Sequence, residues 1–184
     1  GKSTASHFFQ LKGATIFDAD EEAKRYLRSH IELQNRIIAI FGDKVTKNSH
    51  LDLSKLAEHV FSNKQYQNTL NKIIWPEIFS LIKSAAEKAT LRDIDLFVVD
   101  AALLLEAGYT NFFNSILLIT CHKSIRIERI KIKQNIPSNQ IEKRMALQMP
   151  ESEKKKLTQN IIKNNGDVQE LYIKLDQFYN KLLS

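Results

Sequence analysis

Four groups of residues have the types and spacing that phosphate chemistry needs. Gly1-Lys2-Ser3-Thr4 opens a helical pattern. It carries the last part of a glycine-rich loop whose amides cradle phosphates, whose lysine reaches the β- and γ-phosphates and whose next hydroxyl binds Mg²⁺. So short a piece fits equally a plain helix start with Ser3 or Thr4 as its cap. Asp18-Ala19-Asp20 ends a short apolar run. In open α/β sheets ligands bind at the carboxyl ends of strands, where a carboxylate can accept the proton of an attacking hydroxyl. Asp20 suits that role and the N-cap of the next helix about equally, while Asp18 reads as structural. Asp100 ends a second apolar run and is either a carboxylate reaching Mg²⁺, directly or through water, or a plain turn residue. Arg126, Arg129 and Lys133 share one helical face, and Arg144 and Gln148 repeat the spacing. Two such cationic helices could close over transferring phosphates or stand as an exposed amphipathic pair.

The charge distribution bears on the last group. The net charge is +6, and residues 122–156, with ten basic and four acidic side chains, account for all of it. A local positive field of that kind attracts anions such as phosphates. The stretch has no aromatic residue, so nucleic-acid bases would find nothing to stack on.

These groups must be positioned by an alternation of helices and strands, which predicts an α/β fold with a parallel sheet. Residues 2–11 read as a helix burying Ala5, Phe8 and Phe9, closed by Gly13. Ala14–Phe17 reads as a strand, and Glu21 and Glu22 suit the first turn of the helix after it. Residues 31–89 read as mostly helical, interrupted at 42–51 and kinked or broken near Pro76, and form the candidate subdomain. Leu96–Val99 and Ser115–Thr120 read as strands of the continuous apolar kind that helices cover on both faces. The basic stretch reads as two helices joined by a turn at Asn135–Ser138, followed by a short strand at Asn160–Lys163. Val168, Leu171, Tyr172, Leu175, Phe178, Tyr179 and Leu182 recur at helical spacing and predict a packed C-terminal helix.

Composition excludes several classes. The chain has 184 residues, 43% hydrophobic and 26% charged, with 5 Gly and 3 Pro: one globular domain with a smaller subdomain, neither disordered nor low-complexity. The single cysteine, Cys121, allows no internal disulfide, and the five histidines have no metal-ligand spacing. No apolar run approaches the ~20 residues of a membrane span. A glycine-rich loop of this kind normally follows a strand, so about ten further residues upstream of Gly1 are expected.

Taken in order, the pieces resemble the dephospho-coenzyme A kinase family, over nearly the whole chain. Gly1-Lys2-Ser3-Thr4, Gly13-Ala14 and Ile16-Phe17-Asp18-Ala19-Asp20 look like the family's P-loop and the segment after it. Phe41-Gly42, Leu51-Asp52, Leu56-Ala57, Val60-Phe61 and Leu70-Asn71-Lys72-Ile73 with Pro76 look like its helical region. Asp100 through Glu106-Ala107-Gly108, then Arg129, Arg144, Gln148 and Asn165-Gly166, match later motifs. Departures stand at Leu53, Trp75, Ala101-Ala102, Lys133 and Gln159.

The resemblance implies a three-layer P-loop NTPase-like parallel sheet within one kinase domain spanning 1–184. A helical coenzyme-binding insertion at 31–89 and a basic lid at 122–156 would complete it. It implies ATP and Mg²⁺ as co-substrate and ion, with dephospho-CoA phosphorylated on its ribose 3′-hydroxyl. Lys2 would serve the β- and γ-phosphates, Ser3 the Mg²⁺ and Asp20 the accepting hydroxyl, with Arg144 and Lys133 stabilising charge from the lid. Gly1, Thr4, Asn165 and Gly166 would complete the ATP site, and Asp100 and Leu104 would contact substrate. A cytoplasmic enzyme is implied, monomeric or weakly self-associating, without membrane contact. The alternatives are another small P-loop nucleotide or nucleoside kinase, or a silent P-loop protein binding nucleic acid through its basic stretch.

Overall fold

The computed structural model describes residues 1–134 and 137–183. Asn135 and Ile136, where the sequence predicts a turn, lie outside the described residues, as does the side chain of Lys133.

Helix α1 (Lys2–Leu11) buries Ala5, Phe8 and Phe9, whose three- and four-residue spacing puts them on one face. Gly13, at φ 89°, turns the chain into strand β1 (Thr15–Asp18), a conformation costly to any residue with a Cβ. β1 pairs in parallel with β4 (Phe97–Asp100), placing Asp18 opposite Asp100. β5 (Leu117–Thr120) and β6 (Asn160–Lys163) form a second parallel pair, with Thr120 opposite Lys163. Helix α10 (Val168–Leu183) packs against α1. Together they bury Phe8, Phe9, Ile162, Leu171 and Leu175 against the Ile16 and Val98 faces of the strands. The alternate residues Phe17, Phe97 and Val99 face Ala19, Trp75, Ile78 and Ile82. Strand side chains of period two thus divide between two helical layers, as the sequence predicts. Val168 departs from the predicted stripe and is exposed in the first turn of α10.

One strand expectation is modified. β4 and β5 are half-buried, because the two parallel pairs are not hydrogen-bonded to each other among the described residues. Both strands instead line a cleft of about 1510 Å³.

Between β1 and β4 the chain builds a second core. Helices α2 (Ala19–Ser29), α3 (Ile31–Phe41), α4 (Leu53–Val60) and α5 (Lys64–Thr90) enclose Leu27, Leu33, Ile37, Val45, Leu56, Val60, Leu70 and Ile73. A two-residue hairpin, β2 (Thr46–Lys47) with β3 (His50–Leu51), fills the predicted interruption. Pro76 does not break the helix as expected: α5 runs through it for 27 residues. The proline removes one hydrogen bond to the preceding turn, but buried Ile73, Trp75, Ile78 and Ile82 clamp the helix on both sides.

The Asp18 carboxylate caps α2, accepting from the amides of Asp20 and Glu21 at 3.1 and 3.0 Å. That settles the capping question left open by the sequence and leaves the Asp20 side chain for other work. Asp18→Ala is expected to lower stability by about 1 kcal/mol with turnover little changed, read by chemical denaturation beside an activity assay.

Candidate functional site

Parallel register brings the site together. Asp18 and Asp100 end paired strands, so the residues two positions beyond them also meet. The Ala102 amide donates to both Asp20 oxygens at 3.3 Å. Lys2, at the start of α1, lies between the two carboxylates, its Nζ 2.8 Å from Asp20 Oδ2 and 2.5 Å from Asp100 Oδ1. The Asp100 side chain is only 6% exposed, and Ser6 Oγ donates to its other oxygen at 2.6 Å. Ser6 is a partner of Asp100 that sequence reasoning missed. It lies one helical turn beyond Lys2, a spacing that could have flagged it.

Electrostatics explains the arrangement. Burial of the Lys2 ammonium works against its charge, but hydrogen bonds and charge from Asp100 and Asp20 outweigh that and hold the lysine above its ordinary value. Lys2 therefore stays cationic throughout the physiological range. The N-cap of α1 is Gly1, which has no side chain to cap it, and the dipole of the helix favours an anion beside this lysine.

Gly1, Lys2, Ser3, Asp20, Asp100 and Leu104 all line the cleft. Asn165 and Gly166 sit in the loop after β6. Asn165 Oδ1 accepts from the His122 amide at 2.9 Å, which fastens that loop to the end of β5. Thr4 is half-buried in α1. Arg144, near the end of α8 (Ser138–Leu147), is not brought to the lysine bridge: its guanidinium lies 5.3 Å from the ring of Phe61, at the end of α4.

The basic face reads differently in three dimensions. Arg129, on α7 (Lys123–Gln134), donates to the carbonyls of Asn164 and Gly166 at 2.8 and 2.5 Å. Arg126 donates to Glu151 at 3.0 Å and to the Cys121 carbonyl at 3.3 Å. Both arginines thus have protein partners, and Arg129 shapes the Asn165-Gly166 loop, a task spacing alone could not reveal. Glu151 sits in α9 (Glu151–Lys156), and hydrogen bonding from Lys155 and then Arg126 holds its carboxyl below the usual carboxylate value. A depressed carboxylate adds stability above its unfolded value that is lost as pH falls through the folded one.

The family departures are structurally quiet where they can be placed. Trp75 is a core residue 5.8 Å from Tyr109 in a stacked arrangement. Leu53 packs on the core of the helical insertion. Ala102 contributes its backbone amide, which any non-proline residue would supply. Gln159 is exposed.

Comparison with known proteins gives consistent results. The sequence model of a family described as dephospho-CoA kinase matches residues 1–170. A dephospho-CoA kinase of Fusobacterium nucleatum is 34% identical over 179 residues, covering 97% of this chain and 91% of the relative. One from Chlamydia caviae is 32% identical, covering 97% and 89%. In fold, the chain is similar to a crystal structure from Thermus thermophilus, with a TM-score of 0.79 at 24% identity over 100% of this chain and 90% of the other. It is also similar to a dephospho-CoA kinase from Campylobacter jejuni, with a TM-score of 0.66 at 24% identity over 98% and 90%.

Proposed function

This chain belongs to the dephospho-CoA kinase family, and on that premise we propose that it transfers the γ-phosphoryl group of ATP to the ribose 3′-hydroxyl of dephospho-CoA, giving CoA and ADP. The observation that carries this reading is the lysine bridge at the start of α1, where one cation holds two strand-end carboxylates together. Phosphates arriving at α1 carry more charge than the carboxylates and would draw the Lys2 ammonium onto themselves. Asp20 would then take the proton of the attacking hydroxyl while the Ala102 amide keeps its carboxylate aimed. Asp100, nearly buried and held by Ser6, orients the site from the far side. Arg144, with Lys133, would bring positive charge to the transferring group from the basic segment.

Mg²⁺ suits these side chains. The Ser3 hydroxyl and the Asp20 and Asp100 carboxylates are hard oxygen donors, and Mg²⁺ is commonly held by one or two protein oxygens, waters and substrate phosphates. When bound it would neutralise phosphate charge and orient the chain being cut. Among the described residues no cluster of three or more His, Cys, Asp or Glu side chains forms a metal cage.

The basic stretch supports a kinase lid over a nucleic-acid surface. Lys123, Arg126, Lys154, Lys155 and Lys156 each pair with a carboxylate of the chain, and the stretch has no aromatic residue on which bases could stack. No helix among the described residues is long and apolar enough to cross a membrane. A cytoplasmic enzyme acting on small molecules, monomeric or weakly self-associating, completes the reading.

The test is a substrate panel. With ATP and Mg²⁺, dephospho-CoA is expected to yield CoA bearing a new 3′-phosphate, with adenosine and AMP essentially inert. Comparable kcat/KM on AMP or adenosine would replace this reading with a nucleotide or nucleoside kinase of the same fold.

A further inference from the structure

Helix α6 (Leu104–Ala107) follows directly on the turn whose Ala102 amide holds Asp20 and whose preceding strand ends in Asp100. Its Glu106 side chain is 14% exposed and pairs with Lys154 of α9, itself 13% exposed, at 2.7 Å. The same Oε1 atom accepts the Met149 amide at 3.2 Å. Met149 lies two residues beyond the end of α8, five beyond Arg144. The second oxygen, Oε2, is fully buried and has no hydrogen-bond partner among the described residues.

This is an expensive arrangement if stability is its only purpose. Desolvating a carboxylate and an ammonium consumes most of what their attraction returns, and an apolar pair of similar size is often as stable. What the pair does provide is a fixed joint. The two legs of the basic segment are tied to each other by Lys123–Glu142 and Arg126–Glu151, so α7, α8 and α9 are cross-braced. Glu106 then fastens this unit to the turn that carries the reacting carboxylates.

We propose that Glu106 is a positioning residue for phosphoryl transfer: through Lys154 and the Met149 amide it sets α8 and Arg144 relative to Asp20 and Asp100. The inference rests on the proposed kinase reaction for its kinetic readout and on the fold alone for its structural one. Glu106 pairs with Lys154 and the Met149 amide and not with Lys2, Asp20 or Asp100 among the described residues, so loss of the joint acts on geometry. A displacement on the order of 1 Å is enough to cost about 100-fold in rate.

Three variants separate positioning from mere stability. Glu106→Gln and Lys154→Met each leave one buried polar group unpaired and are expected to lower both melting temperature and kcat. The double variant removes both charges, so its melting temperature should return close to that of the parent. Its kcat with dephospho-CoA should stay about 10- to 100-fold low, with the KM for ATP nearly unchanged. Hydrogen exchange across 145–156 should be faster in the double variant than in the parent. Recovery of kcat together with melting temperature would overturn the proposal, reducing the pair to a stability device. Parental exchange rates across 145–156 would overturn it independently of turnover. If the parent protein itself fails to phosphorylate dephospho-CoA, the reaction assignment fails instead, and the exchange measurement still decides the joint.

Discussion

Asp20→Asn is expected to reduce kcat for CoA formation by about 10²- to 10⁴-fold, the usual worth of a positioned general base. The substitution preserves size and leaves an oxygen that can still accept the Ala102 amide, now at 3.3 Å from both carboxylate oxygens. It removes the basic oxygen and one of the two charges on Lys2. Because Asp18 and not Asp20 caps α2, the melting temperature should move little. The KM for ATP should stay level or fall, since Lys2 is held less tightly by protein and is freer to meet phosphate. The measurement is steady-state kinetics on both substrates beside a thermal melt. A variant that keeps parental kcat would remove Asp20 from the chemistry. A variant that loses kcat only in proportion to a lost fold would make Asp20 structural.

The Asp18 and Asp20 pair also shows what a sequence can and cannot decide. Spacing alone left cap and base evenly matched for Asp20, and two amide hydrogen bonds to Asp18 make Asp18 the cap. Features with a local period were legible: the buried face of α1, the Leu171 and Leu175 stripe of α10, the carboxylates at strand ends. Each follows from the 3.6- or 2-residue repeat of a single element. Features that join distant residues were not. Ser6 reaches Asp100 across 94 positions, Arg129 reaches Gly166 across 37, and Glu106 reaches Lys154 only because α9 folds back on α6. The partners of Arg126 and Arg129 were not legible because helical spacing reports which face a side chain shares, not what lies opposite it. The continuity of α5 through Pro76 was hidden for the same reason: the clamp is tertiary. The ordered motifs carried the family and the function further than any one motif carried a residue's role.

Lys2→Met should produce the other large effect, in two separable parts. Turnover should fall by about 10²- to 10³-fold, the scale on which one preorganised charge at a transferring group contributes. Stability should fall as well, because register holds Asp20 and Asp100 beside each other whether or not the ammonium is there. An unpaired buried carboxylate costs about 3–5 kcal/mol in a sealed interior, but Lys2 is 44% exposed and water can enter in its place. About 1–2 kcal/mol is the discounted expectation. Burial works against the Lys2 charge, but hydrogen bonds and charge from Asp100 and Asp20 hold the lysine above its ordinary value, so the stabilising contribution of the bridge in the parent is fully present at neutral pH and is lost only as pH rises through that raised value. Adding Asp100→Asn to Lys2→Met removes one of the two charges and should restore most of the melting temperature at neutral pH. It should restore none of the turnover, since the cation that meets the phosphates is still missing. A deficit unmoved by Asp100→Asn would mean that the lysine bridge does not hold the strand ends together. Turnover regained in the double variant would mean that Lys2 serves the fold and not the phosphates.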